Sequence, residues 1–159
     1  MKIKIDWAKD EDAAAIQALL AEDGVDLRGG MWVGIGRTWL VARAGENVLG
    51  CVAYHPGRPI ARLDFLSVRP EVRGLSKVRL VRDILDAGFA VAALHGASFV
   101  TGAVSYTDVA FGTFLTKHGG RAVNEGWLYV AALGEVLKER NKVHGRRKND
   151  IDHDSHANG

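Results

Sequence analysis

The stretch Leu66-Ser67-Val68-Arg69-Pro70-Glu71-Val72-Arg73-Gly74 decides the fold of this chain of 159 residues. It closes a run that we predict to be a strand over Ile60–Val68, because Pro70 cannot continue a strand interior. It also leads into Ser76–Ala92, the strongest helix pattern in the sequence. That helix has one apolar stripe, formed by Val78, Val81, Ile84, Leu85, Gly88, Phe89 and Ala92.

A buried strand, Ser98–Val104, is predicted directly after this helix. Strand, helix and strand in succession predict a parallel pair joined by a right-handed crossover. Upstream, Trp39–Arg43 and Val48–Tyr54 are predicted strands around the turn Gly45-Glu46-Asn47. Tight turns between consecutive strands predict antiparallel pairing.

The two ends of the folded part complete the pattern. Lys2–Trp7 alternates polar and apolar residues, as a half-buried strand does, and Ala13–Leu20 is a predicted helix. Near the other end we predict a helix over Asp108–His118 and a last strand over Trp127–Leu133. The expected fold is an α/β (α+β) mixed sheet, mostly antiparallel, with one parallel β-α-β unit and flanking helices.

Composition limits the classes of protein to consider. The chain is 47% hydrophobic, which is enough for a core, and its net charge of +2 does not point to nucleic acid. Cys51 is the lone cysteine, so no intrachain disulfide is possible and a reducing, cytoplasmic location is expected. No apolar run reaches the roughly 18 residues of a membrane helix, the start lacks a signal-peptide pattern, and we expect no metal site.

Residues 1–133 are therefore predicted to form one domain. Residues 134–159 are predicted to add a short helix, Glu135–Arg140, and a polar tail that stays disordered because it has little apolar surface to bury. The tail carries Arg146-Arg147-Lys148, a small basic cluster that is a candidate contact for a protein partner.

The element order and the segment from Leu66 to Gly74 resemble the GCN5-related N-acetyltransferase (GNAT) family. Val68-Arg69-Pro70-Glu71-Val72-Arg73-Gly74 looks like the family's V-x-P-x-x-R-G turn after its central strand. The resemblance covers nearly all of the predicted folded part. It implies that acetyl-CoA is the acyl donor and that an amine is the acceptor.

The resemblance also assigns the cofactor-binding residues. In the family, the loop before the long helix holds the cofactor's pyrophosphate, as unpaired N–H groups at a helix start suit an anion. The residues so implied here are Leu66, Val68, Arg73, Gly74, Leu75, Ser76, Lys77, Val78 and Asp108. The positive charge near this helix start fits phosphate attraction and fits a solvated helix face equally well.

The sequence departs from the family pattern at four positions, one of which is Asp108 in place of an asparagine. Ser76 replaces a motif glycine, and Val78 stands where glycine or alanine belongs, so either its branched side chain crowds the cofactor or the helix is shifted slightly outward. Leu115 takes the place of the tyrosine that protonates the leaving thiolate in the family, and a leucine cannot act as an acid.

Two other residues are candidates for catalysis, and one for the acceptor site. Asp64 is a base acting through water or, as we favour, a structural partner of Arg62. By strand alternation Asp64 shares a face with Arg62, Leu66 and Val68. Tyr106 is a replacement acid or an ordinary packed tyrosine. Trp32 is the largest side chain in the glycine-rich segment where the family shapes its acceptor site.

We therefore expect an enzyme, a GNAT-like N-acyltransferase that moves an acetyl or other acyl group from acyl-CoA to an amine of a small molecule or protein. The alternative is a catalytically inactive module with the same fold, of the kind found among phage proteins, that engages a protein partner. Binding of acetyl-CoA separates the two hypotheses.

Overall fold

A computed structural model of the chain describes residues 3–25, 38–103, 108–123, 128–134 and 136. The coordinates divide into two compact units, Met1–Ala103 and Val104–Gly159, and each is described by itself. The predicted helix over Glu135–Arg140 and the predicted disordered tail lie almost entirely outside the described residues. The single-domain boundary at residue 133 stays a prediction.

The first unit is built on a mixed sheet with strands in chain order. The strands are β1 (Lys4–Trp7), β2 (Trp39–Ala44), β3 (Asn47–His55), β4 (Ile60–Val68) and β5 (Phe99–Ala103). The first four strands pair antiparallel with their neighbours, and β4 pairs parallel with β5. The predicted fold class is confirmed, and the predicted limits of β4 are those observed.

Helix α1 (Ala13–Glu22) packs on one face of this sheet, which we call the α1 face. Its buried side chains, Leu19 among them, join the core cluster formed with residues of β2 and β3. The buried carboxylate of Asp12, just before the helix, pairs with Arg43 and accepts a hydrogen bond from the backbone N–H of Lys9 at 2.6 Å. These bonds hold the short 3₁₀ turn Asp10–Asp12, which leads into the helix, against β2.

Helix α2 (Gly74–Leu94) crosses from β4 to β5 and covers the opposite face, which we call the α2 face. Its buried residues are Leu80, Ile84, Leu85, Gly88, Phe89 and Ala92. The predicted apolar stripe is largely correct, but its first member is wrong. Val78 is 49% exposed, whereas Leu80, which the stripe left out, is 1% exposed. The stripe fails there because the first turn of the helix lies before its buried segment.

The prediction that β5 is a buried strand is only partly right. Val100 is 3% exposed, but Phe99 is 41% exposed at the start of the strand. Ala103 at the other end is also exposed. The five-residue strand alternates around one buried position rather than lying inside the sheet on both faces.

The second unit contains α3 (Val109–Lys117) and an antiparallel hairpin of β6 (Gly120–Val123) and β7 (Leu128–Ala132). The sequence predicted α3 and β7 but missed β6, because Gly119-Gly120 was interpreted only as the end of the helix. None of the helices in the described part of the chain combines the length and apolar character that crossing a bilayer requires.

Candidate functional site

The centre of the candidate site is a β-bulge in β4. Cys51 on β3 pairs with Ser67 on β4, and Ala53 on β3 pairs with Asp64 on β4. The two β3 residues are two positions apart, whereas their β4 partners are three positions apart. One extra residue therefore lies in β4, and Phe65 takes up the change with a φ of 52°. A left-handed backbone at a phenylalanine is a rare conformation that costs about 1–2 kcal/mol.

The bulge changes which residues share a face of the sheet. Directly paired residues project to the same face, so Asp64 and Ser67 both lie on the α1 face, with Ala53 and Cys51. Val68 lies on the α2 face, beside Gly50 and the side chain of Ile84. The expectation that Asp64 and Val68 share a face by simple alternation is therefore wrong.

Next to the bulge, β4 and β5 separate. Their parallel ladder pairs Ile60 with Phe99, Ala61 with Val100 and Arg62 with Thr101, and it ends there. Strand β4 continues to Val68, so residues 64–68 lie beyond that ladder. An edge with unused N–H groups can donate hydrogen bonds to a carbonyl oxygen.

The start of α2 lies directly after this strand. The N-cap residue Arg73 is extended and makes no side-chain cap to the first helical N–H groups, and Gly74 has a φ of 58°. The side chains over the first turn are exposed, including Leu75 at 75%. This helix start therefore presents backbone donors and the positive end of the helix dipole to the surroundings.

Two arginines hold the turn between β4 and α2. The guanidinium Nε of Arg69 donates to the Val48 carbonyl, and its backbone N–H donates to the Leu49 carbonyl at 2.9 Å. The Nε of Arg73 donates to the Pro70 carbonyl at 3.3 Å. The turn thus has a defined shape, and the exposed cations left near the helix start are those of Arg73, Lys77 and Arg79.

A charged cluster lies on β3 and β4 just before the bulge. The carboxylate of Asp64 is 10% exposed; its Oδ2 lies 2.6 Å from Nε of Arg62 and 3.5 Å from Nε2 of His55. The expected pairing of Asp64 with Arg62 is confirmed. The sequence analysis missed His55, although its place opposite Arg62 follows from the antiparallel register of the two strands.

Several solved structures are similar to this chain in fold. The chain is similar to N-acetylglutamate synthase from Neisseria gonorrhoeae complexed with coenzyme A and N-acetyl-glutamate, with a TM-score of 0.69 and 16% identity over 84% of this chain and 35% of that one. It is similar to a GNAT-family acetyltransferase from Staphylococcus aureus Mu50, with a TM-score of 0.66 and 11% identity over 83% of this chain and 99% of that one.

The PaiA N-acetyltransferase from Thermoplasma acidophilum in complex with coenzyme A gives a TM-score of 0.67 and 16% identity over 83% of this chain and 99% of that one. The chain has the GNAT fold. No protein-family model and no curated protein sequence matches it significantly. The chain spans about a third of the N-acetylglutamate synthase, and the other two structures it spans almost completely.

Within this GNAT fold, the first unit brings most of the predicted cofactor-binding residues together. Leu66 and Val68 lie in β4 after the bulge, and the run from Arg73 to Val78 forms the N-cap and first turn of α2. Ser67, between the two strand residues, is 3% exposed and donates a hydrogen bond to the Leu19 carbonyl at 3.2 Å. Its hydroxyl therefore has a structural role.

The thiol of Cys51 faces the same core as Ser67 and is fully buried. Burial raises the pKa of this thiol to about 12. A thiol that stays protonated is a poor nucleophile, so the interpretation of Cys51 as an inert core residue agrees with its surroundings.

The remaining predicted site residues are not in the first unit or not in the described residues. Asp108 is the N-cap of α3 in the second unit, where its carboxylate accepts a hydrogen bond from the Phe111 N–H at 2.9 Å. Leu115 is half-buried on the same helix. Trp32 and Tyr106 lie outside the described residues. The described part of the chain holds no group of three His, Cys, Asp or Glu side chains able to bind a metal ion.

Proposed function

We propose that the chain is an N-acyltransferase that moves an acetyl or related acyl group from acyl-CoA to an amine of a small molecule or a protein. This proposal rests on three structural features that occur together along one stretch of chain. The bulge at Phe65, the edge of β4 beyond its last described pair with β5 and the start of α2 at Gly74 lie along this stretch.

Two of these features are suited to requirements of acyl transfer from a thioester. The backbone N–H groups near Leu66 and Val68 are suited to polarise the carbonyl oxygen, which needs no particular side chain. The first turn of α2, from Gly74 to Val78, is suited to the pyrophosphate of acyl-CoA, with positive charge from Arg73 and Lys77. Several of the similar solved structures are complexes with coenzyme A, which supports this assignment.

The transfer is direct in this proposal. The acceptor nitrogen forms a bond to the carbonyl carbon, the bond from that carbon to sulfur breaks, and the thiolate takes up a proton. Cys51 does not form an acyl intermediate, because its thiol is buried and protonated. Trp32 is proposed to contact the acceptor, and Tyr106 to replace the acid that Leu115 cannot provide.

Thermal unfolding with and without acetyl-CoA tests the proposal. At a hundred times its dissociation constant, the ligand is expected to stabilise the chain by ~2.7 kcal/mol. Release of free thiol is then followed with acetyl-CoA and a panel of amines: L-glutamate, L-lysine and a short peptide with a free N-terminus. No stabilisation at millimolar acetyl-CoA would contradict the proposal and favour a non-catalytic module.

Two matched variants locate the binding site. Leu75→Glu places a carboxylate in the first turn of α2, and Leu94→Glu places the same group in its last turn. Both leucines are exposed, at 75% and 84%, so neither change disturbs the core. Leu75→Glu is expected to abolish the stabilisation by acetyl-CoA, and Leu94→Glu to preserve it. Equal effects of both variants would contradict this location.

A further inference from the structure

We infer that His55 is the general base of the proposed transfer and removes a proton from the acceptor ammonium, with Asp64 as the residue that positions it. The inference rests on the proposed function, because it names a residue for that reaction. It starts from the contact of 3.5 Å between His55 Nε2 and Asp64 Oδ2.

This contact sets which ring nitrogen faces the carboxylate. Nε2 of His55 faces Asp64, whose carboxylate is 10% exposed, so Nδ1 on the other side of the ring is the nitrogen proposed to accept the proton. The His55 side chain is 45% exposed, so an acceptor or a bridging water can reach it.

Asp64 itself is poorly placed to be the base. Its Oδ2 is already shared by Arg62, at 2.6 Å, and by His55. Taking up a proton there would break the interaction with the Arg62 guanidinium. The carboxylate is therefore better suited to orient the imidazole, as a buried carboxylate orients a catalytic histidine in other enzymes.

The position of His55 in the sheet suits the acceptor. His55 pairs with Arg62, which is also the last residue of β4 paired with β5. The histidine and its carboxylate thus lie where the two strands begin to separate, and Asp64 is adjacent to the bulge at Phe65. By the register of β3 and β4, His55 and Asp64 project from the α1 face, whereas the cofactor-binding helix α2 covers the other face.

The proton balance of the step is complete with these groups. His55 Nδ1 takes one proton from the ammonium, which leaves a neutral amine with its lone pair. The amine nitrogen attacks the thioester carbonyl carbon, and the C–S bond breaks with its electron pair on sulfur. A second proton passes from the nitrogen to the thiolate, so the products are an amide, free coenzyme A and an imidazolium that returns its proton to solvent.

The test compares His55→Gln with Arg62→Gln, using thiol release from acetyl-CoA and the acceptor from the amine panel that is fastest with the unaltered chain. Both residues are partly exposed and contact the same oxygen of Asp64, so Arg62→Gln controls for the loss of one partner of the cluster. At neutral pH, His55→Gln is expected to lower kcat/KM by about 10²–10⁴-fold. Arg62→Gln is expected to lower it by a smaller factor, because the proposed base itself is retained.

The pH profile separates a base from a structural residue. The defect of His55→Gln is expected to shrink as pH rises toward the range where the amine is neutral in solution, because the base is then not needed. The dissociation constant for acetyl-CoA, measured by calorimetry, is expected to stay unchanged. Asp64→Asn, which keeps the shape but loses the charge, is expected to lower kcat in the same direction.

Two results would overturn the inference alone: His55→Gln with the wild-type rate and pH profile, or a loss of rate that is equal at all pH values and equal in Arg62→Gln. A failure of the proposed function has a different signature. In that case the unaltered chain itself shows neither binding of acetyl-CoA nor thiol release with any acceptor.

Discussion

The ring of Phe65 stacks on the indole of Trp39, with centroids 6.2 Å apart and an angle of 29° between the planes. The backbone of Phe65 is the left-handed residue of the bulge, and Trp39 is 1% exposed in the core under α1. The side chain of the bulge residue is therefore anchored in the core. This contact explains how a strained backbone conformation persists at a residue other than glycine.

This anchoring predicts an unusual order of stability at position 65. Phe65→Ala and Phe65→Gly both lose the stacking, so each is expected to lower the free energy of unfolding, by about 2–4 kcal/mol for alanine. Glycine adopts a positive φ without strain, so Phe65→Gly is expected to be more stable than Phe65→Ala by about 1 kcal/mol. Urea unfolding measures both differences.

In an ordinary strand the order is reversed, because glycine is normally less stable than alanine there. A matched pair at Val41, which is fully buried in β2 and pairs regularly with Asp6 and Cys51, provides the reference. If Phe65→Ala were the more stable of its pair, as expected at Val41, the bulge would not have the left-handed backbone described here.

A second prediction concerns the contact between α2 and the sheet at Gly50. A Cβ at this position would lie 2.9 Å from the Ser67 carbonyl oxygen, 3.0 Å from Ile84 Cδ1 and 3.2 Å from Val68 Cγ2. The backbone oxygen cannot move without shifting β4. Gly50→Ala is therefore expected to lower the free energy of unfolding by about 1–3 kcal/mol.

The control for Gly50→Ala is Gly134→Ala, since a Cβ at Gly134 would meet nothing within 4 Å. That variant is expected to stay within about 0.5 kcal/mol of the unaltered chain. Denaturant titration of the two variants side by side makes the comparison. Equal stability of both would mean that β3 and β4 do not approach each other as closely as described.

The sequence was informative where hydrophobic pattern and turn residues agree. The limits of β4 and the existence of α2 follow from the apolar run before Pro70 and from the helical stripe after Gly74. The GNAT fold follows from the order of those elements. These features are local, so the chain itself carries enough information to predict them.

The position of the bulge could not be predicted from the residue types alone, because nothing near Phe65 marks a left-handed backbone. One extra residue reverses the alternation of side chains between the two faces of the sheet. The prediction that Val68 and Asp64 share a face is wrong for that reason. His55 was missed for a related reason. Its contact with Asp64 depends on the register of two strands, which becomes visible only once the pairing is known.

A third prediction concerns the departure of Val78 from the family pattern. The structure places this side chain, 49% exposed, in the first turn of α2, where the proposed cofactor site lies. Removing its branched methyl groups is expected to tighten acetyl-CoA binding, by about tenfold if the crowding costs ~1.4 kcal/mol. Val78→Gly removes the whole side chain, and Val78→Ala avoids the helix destabilisation that glycine adds.

Calorimetry with acetyl-CoA measures this effect, and Val91→Ala provides the control, because it is the same change near the other end of the same helix. Val91→Ala is expected to leave the dissociation constant unchanged. Weaker binding in Val78→Ala would mean that the side chain contributes a favourable contact, and that the family loop is aligned wrongly on residues 73–78.

The last prediction follows from the buried thiol of Cys51, whose pKa is raised from 9.0 to about 12 because burial disfavours the thiolate. In the unfolded chain this thiol ionises above about pH 9, whereas in the folded chain it stays protonated until about pH 12. Ionisation therefore stabilises the unfolded state first. The neutral thiol contributes fully to the free energy of unfolding below pH 9. Above pH 9 the free energy of unfolding falls, by up to about 1.4 kcal/mol per pH unit from this group.

Cys51→Ala removes this titration, so its free energy of unfolding is expected to fall less steeply than that of the unaltered chain above pH 9. Urea unfolding at several pH values on either side of that point gives the two slopes. Other groups, including Tyr54, whose pKa is also raised by burial, contribute equally to both chains and cancel in the difference. Parallel slopes would mean that the thiol is not buried as described, and rapid labelling of the folded chain by a thiol reagent would show the same.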